Sequence, residues 1–544
     1  MHQDSYILTG NIVDIRHRRI RHGRLTISEG KVYDIEADGK ERPDEPYILP
    51  GFIDAHIHIE SSMLTPPAFA RMAVQHGTVA TVSDPHEIAN VCGIEGVRYM
   101  ARLGRQSGFT FHFGAPSCVP ATPFETAGAT LTLEEITQLF EEKSCHYLSE
   151  MMNYPAVLAG DPLVMNKINA AKRFGLPVDG HAPGLKGAHA ARYAAAGITT
   201  DHECTSLEEA LDKIDTGMQI LIREGSAAKN YNALHPLLRS HPGRVMFCSD
   251  DKHPDDLLHG HINQLVTRSL DLGYDLFDVL RAACINPVDH YTLPTGTLDM
   301  GHRADLIVVD NLQSFRVIST WVEGRQVYDG QEVFLPEVEI PVINQFGIGP
   351  IEPEHLHLTL QSGKARVILA IDGAIVTGSE VHTMTGGLFE GDTERDILKL
   401  VVINRYNPAD VSIALIKGFG MKNGAIASTV AHDSHNILAV GTNDADLASC
   451  INEVIACKGG VSAASGPTRH ILPLPIGGLM STHDATSVGK AYEVIDHYVK
   501  TELGSTLTAP YMTLSFMALL VIPSLKLSDQ GLFDGLKFEF TSLQ

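Results

Sequence analysis

Short apolar runs alternate with turn residues through the first 50 positions. Tyr6-Ile7-Leu8-Thr9-Gly10-Asn11-Ile12-Val13-Asp14 is followed by Arg24-Leu25-Thr26-Ile27 and by Gly30-Lys31-Val32-Tyr33-Asp34-Ile35. Strands parted by glycine-containing turns predict a small antiparallel sheet. The same texture returns at 296–330, in Gly301-His302-Arg303-Ala304-Asp305-Leu306-Ile307-Val308-Val309-Asp310 and Trp321-Val322-Glu323-Gly324-Arg325-Gln326-Val327-Tyr328. The two flanks, 1–50 and 296–345, are therefore expected to build one small β-sandwich domain. Between them, strand-like runs at 53–59, 78–84, 110–117, 145–151, 176–182, 198–203, 219–226 and 244–251 alternate with helix-length stretches such as 133–143 and 162–174. Eight such units predict an α/β chain with a TIM-like (β/α)8 barrel over 51–295. From 346 the pattern changes to strands at 398–404, 411–416 and 436–441 and helices at 444–457 and 484–503, the first capped by Asn443 or Asp444. This reads as an additional C-terminal α+β domain, 346–544. No repeat or Gly/Ser linker sets it apart, so it is expected to pack firmly on the barrel.

Chemistry enters where the apolar runs end. The stretch Leu49-Pro50-Gly51-Phe52-Ile53-Asp54-Ala55-His56-Ile57-His58-Ile59-Glu60 reads as a buried strand entered through a Pro-Gly turn. Residues i and i+2 of a strand share a side, so His56 and His58 present two imidazoles together. Later runs end in Asp84 with His86 and Glu87, in Glu150, in His181, in His202 with Glu203, in Arg223 with Glu224, and in Asp250 with Asp251. Ionisable groups closing apolar strands are costly unless paired or coordinating, and in a barrel of this kind the strand ends carry the chemistry. Histidine offers neutral nitrogen ligands, and carboxylates offer charge that holds and bridges divalent ions. His56, His58, His181 and His202, with Glu150 between two metal positions, predict a binuclear site. Asp250 would ligate and also accept a proton from water made acidic by the metal. His112, His146, His189 and His290 fall in no such pattern and are expected to be structural.

Composition narrows the partners. The formal net charge is −23 over 544 residues, which disfavours nucleic acid and anionic membranes but not an uncharged nucleobase. Eight scattered cysteines without a C-x-x-C pair read as reduced thiols of a cytoplasmic protein. The N-terminus lacks a basic segment followed by an apolar core, and the apolar run near 514–525 is too short to span a bilayer. A homo-oligomer, dimer or higher, is expected from exposed barrel helices.

Pro50-Gly51-Phe52-Ile53-Asp54-Ala55-His56-Ile57-His58, His181, His202, Ser249-Asp250 and Gly301-x-x-Ala304-Asp305-Leu306-Ile307 together resemble the amidohydrolase superfamily. A narrower resemblance, to its adenine deaminase family, rests on Ser83-Asp84-Pro85-His86-Glu87-Ile88-Ala89-Asn90-Val91, Ser149-Glu150-Met151-Met152-Asn153, Arg223-Glu224-Gly225-Ser226, Ser249-Asp250-Asp251, Gly418-Phe419-Gly420 and Val430-Ala431-His432-Asp433-Ser434-His435-Asn436. It runs essentially end to end. Many members of the superfamily carry a carboxylated lysine on the fourth strand, where this chain has Glu150. The resemblance implies hydrolysis of adenine by water to hypoxanthine and ammonia, in purine salvage, with a binuclear centre that favours manganese over iron or zinc. It implies Asp250 as proton acceptor, Glu150 as bridge, and His86 or Glu87 as the acid that protonates the ring. Asp84, Arg223, Glu224, Ser226 and Asp251 would line the purine pocket. His432 and His435, with Asp433, would reach over the barrel mouth to close it or to hold an additional metal.

Two rival readings follow from the same residues. A related hydrolase acting on a cyclic amide or an N-acetyl sugar shares the strand-end ligands, but such deacetylases are not expected to carry the His432-Asp433-Ser434-His435 segment. A non-catalytic scaffold would be expected to have lost ligand positions, and here all are filled.

Overall fold

The architecture is that of a computed structural model describing residues 5–544. Eight short strands form its centre: β1 (Phe52–Ile57), β2 (Thr78–Ser83), β3 (Thr110–Phe113), β4 (Leu148–Met151), β5 (Val178–Gly180), β6 (Thr200–Asp201), β7 (Gln219–Arg223) and β8 (Val245–Cys248). Neighbours pair in parallel from β1 to β3, from β4 to β5 and from β6 to β8. A parallel bridge between Ala115 and Leu148 joins β3 to β4, and Thr199 N donates to Val178 O at 2.8 Å between β5 and β6. The ring closes where Asp250 N donates to His56 O at 2.9 Å and His58 N to Asp250 O at 3.2 Å. The site is thus built into the closure of the barrel.

Alternation along the strands explains their burial on both faces. Ile53, Ala55, Ala80, Val82, Leu221, Met246 and Cys248 gather in one cluster, while Phe52, Val79, Ile220, Ile222, Val245 and Phe247 join the larger core shared with the helices. Helices start on local signals. Thr132 and Glu135 form a reciprocal capping box at Leu133–Glu141, and the Ser206 side chain accepts from Glu209 N at the start of Leu207–Asp215.

The flanks form one sheet of seven strands, not a two-sheet sandwich. Tyr47–Pro50 runs parallel to Ser5–Asp14 on one side and antiparallel to Leu306–Val309 on the other, so chain from before and after the barrel meets edge to edge. One face, with Ile12, Leu25, Ile27, Val32, Ile48, Leu306, Val308 and Trp321, makes its own small core. The other, with Val13, Leu49, Ile307, Val309 and Val322, joins the main core. The barrel covers that face in place of a second sheet.

After an extended strap the chain builds an eight-stranded sheet from strands between Gly363–Leu369 and Thr468–Pro473, with helices Asp444–Ala456 and Ala485–Thr501. The Asn443 side chain caps the first helix, accepting from Asp446 N. The second helix presses on the barrel helix Pro254–His259 at Gly489, where an added Cβ would meet Pro254 O at 3.0 Å. One apolar cluster runs from barrel residues such as Ile88 and Met63 to Val430, Met480 and Phe516, so the two units share a core. Among the described residues no helix is long and apolar enough to cross a membrane, and all eight cysteines are free.

Candidate metal centre

His56 and His58 leave β1 beside a break in strand register between Asp54 and Ile57. Their Nε2 atoms converge to 3.2 Å. Asp250 follows β8 with φ 55°, a left-handed conformation uncommon outside glycine, and so turns its carboxylate inward. Asp250 Oδ1 stands 3.4 Å from His56 Nε2 and 3.1 Å from His58 Nε2. Glu150, at the end of β4, divides its oxygens between two sides. Oε1 is 3.4 Å from His58 Nε2 and 3.3 Å from His86 Nδ1, whereas Oε2 is 2.7 Å from His181 Nδ1 and 3.1 Å from His202 Nε2. All of these side chains are buried.

The donor set fits a divalent cation. Two nitrogens each about 2.0–2.1 Å from one ion, at tetrahedral to octahedral angles, lie roughly 2.8–3.4 Å apart, and the His56–His58 separation of 3.2 Å falls in that window. His56 Nδ1, His86 Nε2, His181 Nε2 and His202 Nε2 are buried without a hydrogen-bond partner. Charge agrees with geometry. Burial and His86 disfavour a charged His58, yet Asp250 and Glu150 outweigh them and hold its imidazole well above the usual range. Burial would raise the Glu150 carboxyl, but His181 and His202 keep it well below the ordinary value. These carboxylates require positive charge beside them, which a metal ion supplies without protonating the imidazoles.

Arg223, at the end of β7, fixes the acidic side of the cluster. Nη1 donates to both Glu203 and Asp250, and Nη2 donates to Glu203 Oε2 at 3.1 Å. Burial opposes its charge, but Glu203 and Asp250 raise its pKa above the ordinary arginine value.

A second group of acids lies at the rim. Ser61 Oγ is 2.7 Å from Glu87 Oε1 and 2.6 Å from Asp251 Oδ1, a single hydroxyl hydrogen between two carboxylates. Burial raises the Glu87 carboxyl above its ordinary value, with His432 opposing and Asp251 adding to the effect. Glu60, behind it, is pushed up to about 8 by burial and by Glu87. The C-terminal sheet sends His432 into this group. Its Nδ1 is 3.5 Å from Glu87 Oε1 and its Nε2 is 3.7 Å from Asp251 Oδ1. Asp433 Oδ1 reaches to 3.6 Å from His86 Nε2.

A narrow cleft between barrel and C-terminal unit is lined by metal-cluster residues on one side and by Ile375, His432, Phe516 and Leu519 on the other. The structure therefore brings together His56, His58, His86, Glu150, His181, His202, Arg223, Asp250, Asp251 and His432, with Glu87 at the rim. Asp84 Oδ2 lies 3.2 Å from His86 Nδ1, and Asp84 forms with His58, His86 and Glu150 one of the buried groups close enough to share an ion. Glu224 and Ser226 are not brought to the cleft. Glu224 pairs with Arg268, and Ser226 Oγ donates to Asp256 at 2.5 Å while accepting from His253 N at 2.8 Å. The alternation of β7 past Arg223 turns them toward the barrel helices. His435 lies behind His432, ring centroids 5.8 Å apart, with Nδ1 accepting from Ala431 N at 3.1 Å. His112 stacks on His146 at 4.9 Å and His290 Nε2 lies 3.2 Å from Thr199 Oγ1, both away from the cluster. Reasoning from motifs passed over Glu60, Ser61 and the apolar wall of Ile375, Phe516 and Leu519. Phe516 and Leu519 fall within the apolar 514–525 run, too short to span a bilayer, and nothing in the sequence marks Ile375.

Residues 47–327 match the amidohydrolase family, and residues 375–539 match the adenine deaminase C-terminal domain. The chain is 52% identical to an adenine deaminase of Salinibacter ruber and 48% identical to one of Methanosarcina mazei, in each case over 98% of both chains. Among solved structures, an adenosine deaminase from Xanthomonas campestris with bound zinc covers 60% of this chain and 94% of its own at 16% identity, with a TM-score of 0.46.

Proposed function

The chain belongs to the adenine deaminase family of the amidohydrolases, and we propose that it deaminates adenine in the cleft where the C-terminal unit meets the barrel. The products are hypoxanthine and ammonia. The observation that carries this reading is the full-length match to adenine deaminases combined with a buried His/Asp/Glu cluster at the strand ends.

His56, His58, Glu150, His181, His202 and Asp250 would hold a binuclear divalent centre, manganese first, with His86 close enough to share in it. When bound, such a centre makes water acidic enough to attack at neutral pH.

The remaining chemistry belongs to side chains. Asp250 accepts a proton from the attacking water as its oxygen bonds to C6, and Arg223 holds that carboxylate in place. Glu87, whose carboxyl is raised above its ordinary value by burial and by Asp251 against the pull of His432, donates to ring N1, so the electron pair displaced from the C6–N1 double bond is neutralised as it forms. Asp250 then returns its proton to the exocyclic amine, the C6–N6 bond breaks and ammonia departs. The proton lost from the C6 hydroxyl restores Glu87, so atoms and charge balance. Asp251 and His432 orient Glu87 and the purine edge, and Ile375, Phe516 and Leu519 cover the flat ring and exclude water.

The test is ammonia release from adenine by manganese-loaded enzyme, with an acetylated amino sugar and a cyclic amide as competing substrates. Turnover of adenine alone is expected. Turnover of either competitor in place of adenine would move the chain to another amidohydrolase activity.

A further inference from the structure

Lys526 lies on the strand Leu525–Ser528 with no exposed surface. Its Nζ donates to two main-chain carbonyls, Ile375 O at 2.8 Å and Phe516 O at 2.8 Å. Both acceptors belong to residues whose side chains line the cleft, although they come from segments far apart in sequence. The Phe516 ring also lies nearly parallel to His432, with centroids 5.2 Å apart and planes 25° apart, so the position of Phe516 carries over to a polar member of the site.

A lysine is an expensive way to fill this space. Among the described residues no carboxylate pairs with it, and burial alone pushes its amine down to about 7. An apolar side chain would suffice if packing were the only need. The neighbouring backbone is already secured by other bonds: Thr377 Oγ1 donates to Leu525 O at 2.8 Å, Thr377 N to Pro523 O at 3.0 Å, and Ser524 Oγ to Thr377 O at 3.1 Å. What Lys526 adds is the tie between the Ile375 segment and the Phe516 segment. An amine that donates two N–H groups to two carbonyls sets their spacing from behind the wall.

We propose that Lys526 is a positioning residue for the deamination, holding Ile375 and Phe516 at the spacing that lets them clamp the flat face of the purine. This rests on the reading of the cleft as the adenine site. A base packed against an aromatic face binds through close contact over its whole plane, so a wall that drifts weakens binding without touching the proton-transfer groups.

The experiment compares full-length, manganese-loaded wild type with Lys526→Met, Lys526→Gln, Phe516→Ala and the Lys526→Met/Phe516→Ala double variant. Steady-state kinetics on adenine and metal content are measured for each. Lys526→Met is expected to raise KM by about tenfold with kcat and metal content close to wild type, a loss of binding common to ground and transition states. It is expected to add little in the Phe516→Ala background, because both act through one wall. Unchanged KM with lowered kcat, or independent effects of the two substitutions, would overturn the role. Should Lys526→Met fail to fold, Lys526→Gln decides: a raised KM supports the proposal and an unchanged KM overturns it. A wild type that binds metal but leaves adenine untouched would overturn the substrate reading itself, an outcome seen before any variant is compared.

Discussion

His56 and His58 bring their Nε2 atoms to 3.2 Å of each other inside the closure of the barrel. Two bare lone pairs do not face each other at that distance in a buried site; a proton or a cation must lie between them. Asp250 and Glu150 supply the negative charge that favours a divalent ion over a proton. Removing metal with a chelator is therefore expected to abolish adenine turnover, and adding manganese to restore it. His58→Ala is expected to lower metal content by about one ion per chain and turnover by at least about 100-fold. Elemental analysis beside the ammonia assay checks both. A His58→Ala protein with full metal content and full turnover would remove His58 from the centre.

Asp250 contacts the imidazoles of both His56 and His58 and is held by Arg223. Asp250→Asn keeps the shape but cannot take a proton, and general-base contributions are worth about 10²–10⁴ in rate. The expected outcome is a fall in kcat of at least about 100-fold in protein that still folds, with metal content recorded on the same sample. Activity near wild type would shift the proton acceptor to Asp251 or Glu87.

How much of this was legible in the sequence depends on where the information lay. Strand-like runs marked all eight barrel strands, although β6 (Thr200–Asp201) is polar throughout, and the ionisable residues closing them marked the cluster. Helix starts were equally local, as the Asn443 cap shows. The sandwich expectation erred because the flanking sheet uses the barrel as its second layer, a long-range choice that periodicity does not encode. Glu224 and Ser226 erred by proximity: one residue past Arg223, the chain turns outward to Arg268 and Asp256. Phe516 and Ile375 reach the cleft only through tertiary packing of the C-terminal unit, and no spacing in the sequence announces that.

The Arg223 guanidinium joins Glu203 to Asp250 in a fully buried triad. Replacing one partner of such a group leaves uncompensated buried charge, at a cost of about 3–5 kcal/mol. Arg223→Met is expected to destabilise the metal-free protein by that order, read from denaturant unfolding. Adding Glu203→Gln should recover part of the loss, since it removes one of the stranded carboxylates. Recovery absent, with the single variant as stable as wild type, would mean that Arg223 carries no such burden.

Glu125 lies in the loop that meets the His432 segment, buried, with Oε2 accepting from Ser434 Oγ at 2.9 Å and Oε1 accepting from Thr122 Oγ1 at 3.1 Å. Burial, reinforced by Asp433 and Asp529 and opposed by the two hydroxyls, pushes its carboxyl from the ordinary 4.5 up to about 8. The folded chain keeps this proton in a range where the unfolded chain has lost it. The native state therefore binds more protons between those two values, and stability falls as pH rises through the window, by up to about 1.4 kcal/mol per pH unit from this one group. Its contribution is fully present below the unfolded value and gone once pH passes the folded one. Glu125→Gln has nothing to ionise, so its stability should decline less over the same interval, and it should overtake wild type on the alkaline side. Unfolding midpoints of both proteins, taken in parallel at several pH values across the window, check this. Curves that stay parallel throughout would show that Glu125 is already ionised in the folded protein, its charge met by hydroxyls and solvent in the interface with Ser434.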